Sequence, residues 1–355
     1  MDNLIGFPEE RLGDMMSEWG EKPYRACQIL TWVYHRELKD FDAMTNLSKA
    51  LRNRLKNQFN ISLPEIRDKT RSQDGSLKYL FELEDGSKVE SVWMPSESRN
   101  TLCISTQVGC RLGCTFCLTG KLGLKRNLTS AEIVGQIMAA NEDLPEKERP
   151  SNIVIMGMGE PLDNYDEVVK AVRLMVSPHA MKISTRKITL STSGLVDKIK
   201  RFQSENLHVN LAVSLNATDD ATRSQIMPIN KKHSIRELMD CLRAYPLKPT
   251  RRITFEYVLI DGINDSPENA IRLNKLLRGF RCKINLIPFN AFDESSYLPP
   301  REDRVLSFQS YLISKGFSVF IRKNRGIDIL GACGQLAAQS FEPSSALKPI
   351  PSAIA

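Results

Sequence analysis

From residue 101 onward the chain alternates short apolar, β-branched runs with helical patterns. This is the feature that most restricts its fold. Strands are expected at Thr101–Thr106, Asn152–Met156, Lys187–Leu190, His208–Val213, Ile253–Leu259 and Lys283–Ile287, with a last one at Ser318–Ile321. Helical spacing fills the intervals, as at Thr129–Asn141, Asp166–Val176, Ile235–Tyr245 and Pro267–Leu277. Strands separated by helices pair in parallel, because the chain must cross over the sheet to return. Six such βα units predict an α/β fold whose sheet curls into a barrel or part of one. Chemistry in such a fold is expected at the C-terminal ends of the strands.

The remaining segments are organised around this core. Residues 1–62 read as a small helical domain, with Ala26, Ile29, Leu30, Val33 and Tyr34 at helical spacing and Ser48 placed to cap the next helix. Residues 63–99 hold a linker and then a hairpin, Leu77–Leu83 and Lys88–Met94 around Glu84-Asp85-Gly86. The barrel spans 100–290, a C-terminal extension 291–342, and the small-residue and Pro-rich stretch 343–355 is expected to be disordered. With 41% hydrophobic residues, the chain can build a substantial core. No apolar run approaches the roughly 18 residues of a membrane span. The N-terminus lacks the basic and apolar regions of a secretory signal, so the cytosol is the expected compartment. Nothing in the sequence calls for more than a monomer.

Eight cysteines are too sparse for a disulfide scaffold, and in a reducing compartment clustered thiols point to metal or catalysis. Three of them form Cys110-Arg-Leu-Gly-Cys114-Thr-Phe-Cys117, just after the first predicted barrel strand. A structural zinc takes four ligands, and a [4Fe–4S] cluster has four irons to ligate. Three thiolates therefore leave one iron open to a further ligand. A structural cluster with a distant fourth ligand remains the alternative. Cys27, Cys241 and Cys282 have no neighbours at ligand spacing in the sequence and are assigned to packing.

Other polar groups fall at the predicted strand ends. Gly157-Met-Gly159-Glu160-Pro161 follows one strand, with glycines that admit a ligand to the backbone and a carboxylate able to receive an ammonium. Ser191, the run Ser214-Leu215-Asn216, and Asn290 follow three others, offering groups suited to ribose hydroxyls or a carboxylate. Past the last strand, Cys333 stands in the Gly-flanked loop Gly331-Ala-Cys333-Gly-Gln335.

The C-x3-C-x2-C motif with Phe116 before its last cysteine resembles the signature of the radical S-adenosylmethionine (SAM) superfamily. With G-M-G-E-P-L, S-L-N-A, N-L-I-P-F-N and the Cys333 loop, the chain resembles the dual-specificity adenine-C2 RNA methyltransferases within it. The resemblance implies a partial (βα)6 barrel holding a [4Fe–4S] cluster on Cys110, Cys114 and Cys117. SAM would chelate the open iron, with Gly159, Glu160, Ser191, Ser214, Leu215, Asn216 and Asn290 around it. It implies methylation of adenine C2 in 23S rRNA, at the peptidyl-transferase centre, and in the tRNA anticodon loop. It further implies Cys333 as methyl carrier, Cys103 as resolving thiol and Glu90 as base, with a flavodoxin- or ferredoxin-type electron donor. Pro161 suits C2, since a C8-specific relative usually has Ala there. Asn216 replaces a His found in some members. A C8-specific enzyme, another radical SAM class and a zinc-bearing RNA-binding module are the competing readings.

Charge adds support rather than proof. Residues 1–60 balance to zero, 131–180 carry −5, and 181–254 carry +8. A segment of that last kind suits RNA phosphates, although solvated helix faces would look the same.

Overall fold

The computed structural model describes residues 1–35, 40–293 and 295–338; the stretch 343–355 lies outside the described residues, as do the last residues of the C-terminal extension. Seven parallel strands form the body of one sheet: Thr101–Cys103, Asn152–Ile155, Ile188–Thr192, Asn210–Ser214, Ile253–Leu259, Cys282–Pro288 and Val319–Ile321. Their order across the sheet is their order in the chain. Each crossover steps the same way, so the helices collect on one face and the sheet curls around the other into a partial barrel.

The alternation within the strands decides what fills that barrel. In Ile188–Thr192 the apolar Ile188 and Leu190 are fully buried, while Thr189 and Ser191 line cavities inside the curl. The apolar face packs under the helices and the polar face looks inward. A closed barrel of this type fills its interior with bulky aliphatic layers; this one keeps its interior polar and partly hollow.

The helices begin where capping chemistry places them. Thr129 and Glu132 form a capping box on Ser130–Asp143, Ser234 and Glu237 one on Ile235–Arg243, and Ser266 with Pro267 opens Pro267–Leu277.

Two departures from the sequence pattern bear on the site. The chain leaves the first barrel strand after Cys103 and forms a separate ribbon, Gln107–Cys110 against Gly123–Asn127, which carries the first cysteine of the motif. Glu65–Arg71, which reads as linker, is an edge strand paired with Leu77–Glu82. Most of its side chains are exposed, so no period-two apolar signal marks it. With Lys88–Met94 these strands extend the barrel sheet by three antiparallel members. The register Val92↔Cys103 puts Glu90, two residues along, on the same face as Cys103.

The N-terminal helices Glu9–Glu18, Arg25–His35 and Lys49–Gln58 pack around Leu12, Ile29, Leu30 and Leu55. Ser48 caps the third by accepting from Leu51 N at 3.1 Å. This unit meets the barrel at the start of helix Ser130–Asp143, where Ser130 Oγ donates to Gly6 O at 2.8 Å. A Cβ on Gly6 would lie 2.3 Å from Ala131 N, so only glycine permits the approach. No helix among the described residues is long and apolar enough to cross a membrane.

Gln136 ties three layers together. Its Oε1 accepts from Ser91 Oγ at 2.7 Å and Ser105 N at 2.9 Å, and its Nε2 donates to Ser105 O at 3.0 Å, all buried. Gln136→Met keeps the volume but strands these partners. We expect a loss of about 2–3 kcal/mol in denaturant unfolding; a change within about 0.5 kcal/mol would show that the network does not hold these layers.

Candidate active site

A cavity of about 170 Å³ opens at the C-terminal ends of the parallel strands. Cys110 ends its ribbon strand there, and Cys114 and Cys117 follow in a loop closed by Cys117 N donating to Cys114 O at 3.1 Å. Burial pushes the Cys110 thiol up to about 12 and that of Cys114 well above its usual value, and the neighbouring cysteines reinforce the shift at Cys114. A bound metal centre would offset that cost and hold such groups as thiolates. The three sulfurs are not all within 4.8 Å of one another. A tetrahedral zinc with Zn–S near 2.3 Å would draw its sulfurs to about 3.8 Å apart. The spread thus disfavours a single ion and suits a cluster whose thiolates sit on separate irons.

Glu160 faces this triad from the neighbouring loop. It is buried, and its Oε2 accepts from both Ser193 N and Ser193 Oγ at 2.8 Å while Oε1 accepts from Leu162 N at 3.1 Å. Burial raises its proton affinity and these hydrogen bonds oppose the rise. Oε1, which accepts only one of these, retains a lone pair for a cationic ligand. Gly159 sets the turn with φ of 102°; a Cβ there would lie 2.6 Å from Gln107 Cβ. Gln107 in turn accepts from Glu160 N at 2.8 Å.

Ser191, Ser214 and Asn290 line the same cavity. Asn290 Nδ2 donates to Cys333 O at 3.1 Å, while its Oδ1 is buried with no hydrogen-bond partner among the described residues. A buried orphan acceptor in a cavity fits a ligand donor such as the adenosine or amino N–H of SAM. Asn216 also borders the cavity, but Val258 N and Met227 Sδ already engage its amide. Leu215 does not border it. Its side chain is fully buried in the core, its N–H donates to Glu256 O and its carbonyl accepts from Arg223 Nε.

Cys333 reaches the cavity on a loop bonded directly to the cysteine motif. Leu118 N donates to Gly334 O at 2.7 Å and Thr119 Oγ1 to Leu336 O at 2.6 Å. Cys333 is exposed to solvent across the cavity, yet the protein packed around it raises its thiol, and Arg322 pulls the other way. Cys103 lies close enough to Cys333 for the two thiols to interact, and burial pushes it up to about 12. Glu90 is outside the cavity lining, behind this loop. Its Oε2 accepts from Ala337 N at 2.8 Å and its Oε1 lies 3.0 Å from Lys78 Nζ, both side chains being buried. Glu82, indistinguishable from Glu90 by local sequence, is instead at the surface against Arg67.

Sequence reasoning missed Arg223. It is fully buried, and burial lowers it to about 10. Its donors go to Leu215 O, Ser193 O, Ser214 O and Asn230 Oδ1, and none of these is a carboxylate. It thereby stitches the carbonyls of two rim loops together beside Cys114. No local pattern marks a helical arginine for this task; only the +8 of its segment hinted at a cation in search of an anion. Cys27, assigned to packing, sits at the seam of the N-terminal unit with Glu9 and His179, their ligand atoms within 4.8 Å of one another.

Comparison with known proteins agrees with this geometry. Residues 2–61 match the ribosomal RNA large subunit methyltransferase N-terminal domain, and residues 104–273 the radical SAM superfamily. The chain is 47% identical over 340 residues to the dual-specificity RNA methyltransferase RlmN of Syntrophus aciditrophicus, covering 96% of this chain and 97% of the relative. It is 47% identical over 355 residues to the protein of that name from Geobacter sulfurreducens, covering 99% and 97%. A crystal structure of a radical SAM methyltransferase from Sphaerobacter thermophilus superposes with a TM-score of 0.88 at 42% identity, covering 96% of this chain and all of that one. Cysteine triad, barrel, N-terminal unit and full-length likeness agree, and the chain belongs to the radical SAM dual-specificity RNA methyltransferase family.

Proposed function

We propose that the protein methylates C2 of adenine in 23S rRNA and in the tRNA anticodon loop, using a cysteine of its own as carbon carrier. The observation that supports this most directly is the docking of the Cys333 loop onto the cysteine-motif loop, with Cys103 beside it and Glu90 bonded behind it. C2 of adenine lies between two ring nitrogens and is electron-poor, so it cannot attack the methyl group of SAM as an amine does. A carbon radical can add there.

Cys110, Cys114 and Cys117 would hold the cluster, and Glu160 with the rim groups Ser191, Ser214 and Asn290 would hold SAM. When bound, this cofactor pair supplies both a transferable methyl and a hydrogen-abstracting radical. Cys333 as thiolate takes the methyl. The bond from its sulfur to carbon forms as the sulfonium bond breaks and S-adenosylhomocysteine leaves. After hydrogen abstraction the carbon radical on the Cys333 sulfur adds to C2, linking protein to RNA, and the adduct radical gives up one electron, for which the iron–sulfur centre would be the acceptor. Glu90, with its oxygens fixed by Lys78 and Ala337 N, takes the C2 proton. Cys103, on losing its proton, then attacks the Cys333 sulfur; the carbon–sulfur bond breaks, its electron pair and a proton pass to the C2-bound carbon, the methylated adenine leaves and a disulfide remains. The burial that raises Cys103 keeps it a thiol until that moment. An external electron donor of flavodoxin or ferredoxin type provides the reducing electrons.

Anaerobic reconstitution with methyl-labelled SAM and both RNAs tests this scheme. Cys333→Ala should retain iron and SAM cleavage but transfer no label; any turnover by it eliminates the carrier route. Cys103→Ala should accumulate protein bound covalently to RNA, visible as a nuclease-sensitive band shift, and its absence would remove the resolving role. Cys110→Ala should yield iron-poor, colourless protein, whereas full iron content would relocate the cluster. Nuclease digestion and mass analysis of the product separate C2 from C8 methylation.

A further inference from the structure

Below the reaction cavity, on the inner face of the same barrel, lies a second cavity of about 510 Å³. Its lining carries six cations and a single carboxylate. Arg99, Lys187, Lys283, Arg322 and Lys323 have no side-chain hydrogen bond or ion pair with any described residue. Cations elsewhere in the chain are spent on neighbours, as in Arg126 with Asp85 and Glu132, Arg201 with Asp166, and Arg173 with Glu205. The carboxylate, Glu256, accepts from Asn285 Nδ2 at 2.8 Å and attracts Arg322 and Lys283, which sets one negative charge against the cavity's cations. Lys283 shows the consequence. Burial and then the repulsion of Arg322, Arg99 and Arg252 push its ammonium below the ordinary lysine range, against the pull of Glu256. Like charges gathered on an open cavity cost stability unless an anion joins them.

The +8 segment of 181–254 does not form this surface as a block. Arg223 of that segment is buried at the rim, Arg251 donates to Asn210, Thr185 and His208 O, and only Lys187 reaches the lower cavity. The other cations come from the loop before Thr101 and from the strand pair at the barrel's open edge. At that edge Phe320 is 54% exposed, a flat apolar face next to Arg322 and Lys323. Aromatic faces among cations are how single-stranded nucleic acids are gripped without regard to sequence. The two cavities share Met156, Glu256 and Arg322 as lining, so they adjoin inside the barrel.

We propose that this lower cavity holds the phosphodiester backbone of the RNA strand flanking the target adenine. The proposal rests on the RNA-methyltransferase reading above. An adenine cannot reach the barrel interior while stacked, and once extruded it draws its neighbouring phosphates toward the wall. Cations on the barrel's inner face meet those phosphates where they arrive, and Phe320 offers the adjacent base a stacking surface.

The test uses the full chain, cluster-loaded, and a tRNA anticodon stem-loop, with affinity measured across salt concentrations. Arg99→Ala, Lys187→Ala and Lys323→Ala avoid residues of the reaction cavity. Each should lower the slope of log affinity against log salt by about one, and the triple variant should bind about tenfold or more weakly at physiological salt. As a control, Arg278→Ala with Lys315→Ala removes charge from a different basic surface and should leave affinity unchanged. Methylation of Cys333 by SAM without RNA should match wild type in all of them. Wild-type affinity and slope in the triple variant overturn the proposal, as does an equal loss in the control, which would reduce the effect to net charge. Displacement of RNA from wild type by millimolar inorganic phosphate would also overturn it, by assigning the cavity to a small anion. Failure of the methyl-transfer reading appears separately, as absent Cys333 methylation in wild type with RNA binding intact.

Discussion

Four hydrogen bonds hold a segment from the far end of the chain against the cysteine loop and the sheet beside it. Leu118 N to Gly334 O, Thr119 Oγ1 to Leu336 O, Asn290 Nδ2 to Cys333 O and Ala337 N to Glu90 Oε2 span sequence separations from 43 to 247 residues. All four use backbone groups of residues 333–337, so their geometry follows from the loop's path rather than from long side chains of that segment. Gly334, with φ of 85° and its Cβ position 3.1 Å from Phe116 O, lets the loop pass that close. The carrier thiol proposed here would serve a methyl donor, a radical and a nucleobase in turn, and fixing its backbone beside the cysteine motif would remove most of the search.

The second constraint is the polar interior. A barrel filled with aliphatic layers is stable but has no room for a nucleotide. Here the inward positions are Thr, Ser, Asn, Lys and Glu, and stability is drawn from the outer face, where Ile188, Leu190, Ile253, Phe255 and Ile284 are fully or almost fully buried under the helices. The antiparallel extension, with Tyr79, Phe81 and Val89 buried at 0% exposure, adds core on the side where the parallel sheet would otherwise end. This extension also places the buried Glu90–Lys78 pair behind the Cys333 loop, so the strands that add core also hold the base proposed above.

How far the sequence revealed this depended on the range of the signal. The seven parallel strands were legible because each carries its own apolar run, and the caps at Thr129, Ser234 and Ser266 because capping is local. The cysteine triad was legible because its spacing is short. Strand Glu65–Arg71 was not, since an exposed edge has no buried face to mark it. Leu215 was placed on the rim by adjacency to Ser214 and Asn216, but strand alternation turns its side chain into the core. Arg223, Glu256 and Lys78 gave no local signal. Each acts through partners 7 or more residues away in sequence, which only the closed barrel brings together.

Two groups of cations in this barrel have fewer carboxylates near them than their charge would call for. Arg223 hydrogen-bonds only neutral oxygens, and the negative charges that act on it are those of Cys114 and Asp220. A buried charge left with neutral partners is expensive, and proteins keep one where a bound group completes it. A cluster on three thiolates is anionic, so the same residue that laces the rim carbonyls also compensates what the rim holds. The lower cations face the reverse situation, being open to solvent and shared among themselves until a polyanion arrives. The upper charge is thus matched to a resident cofactor and the lower ones to a transient substrate, which is the order in which a radical enzyme must assemble: donor fixed first, RNA admitted last, with Cys333 on the boundary between them.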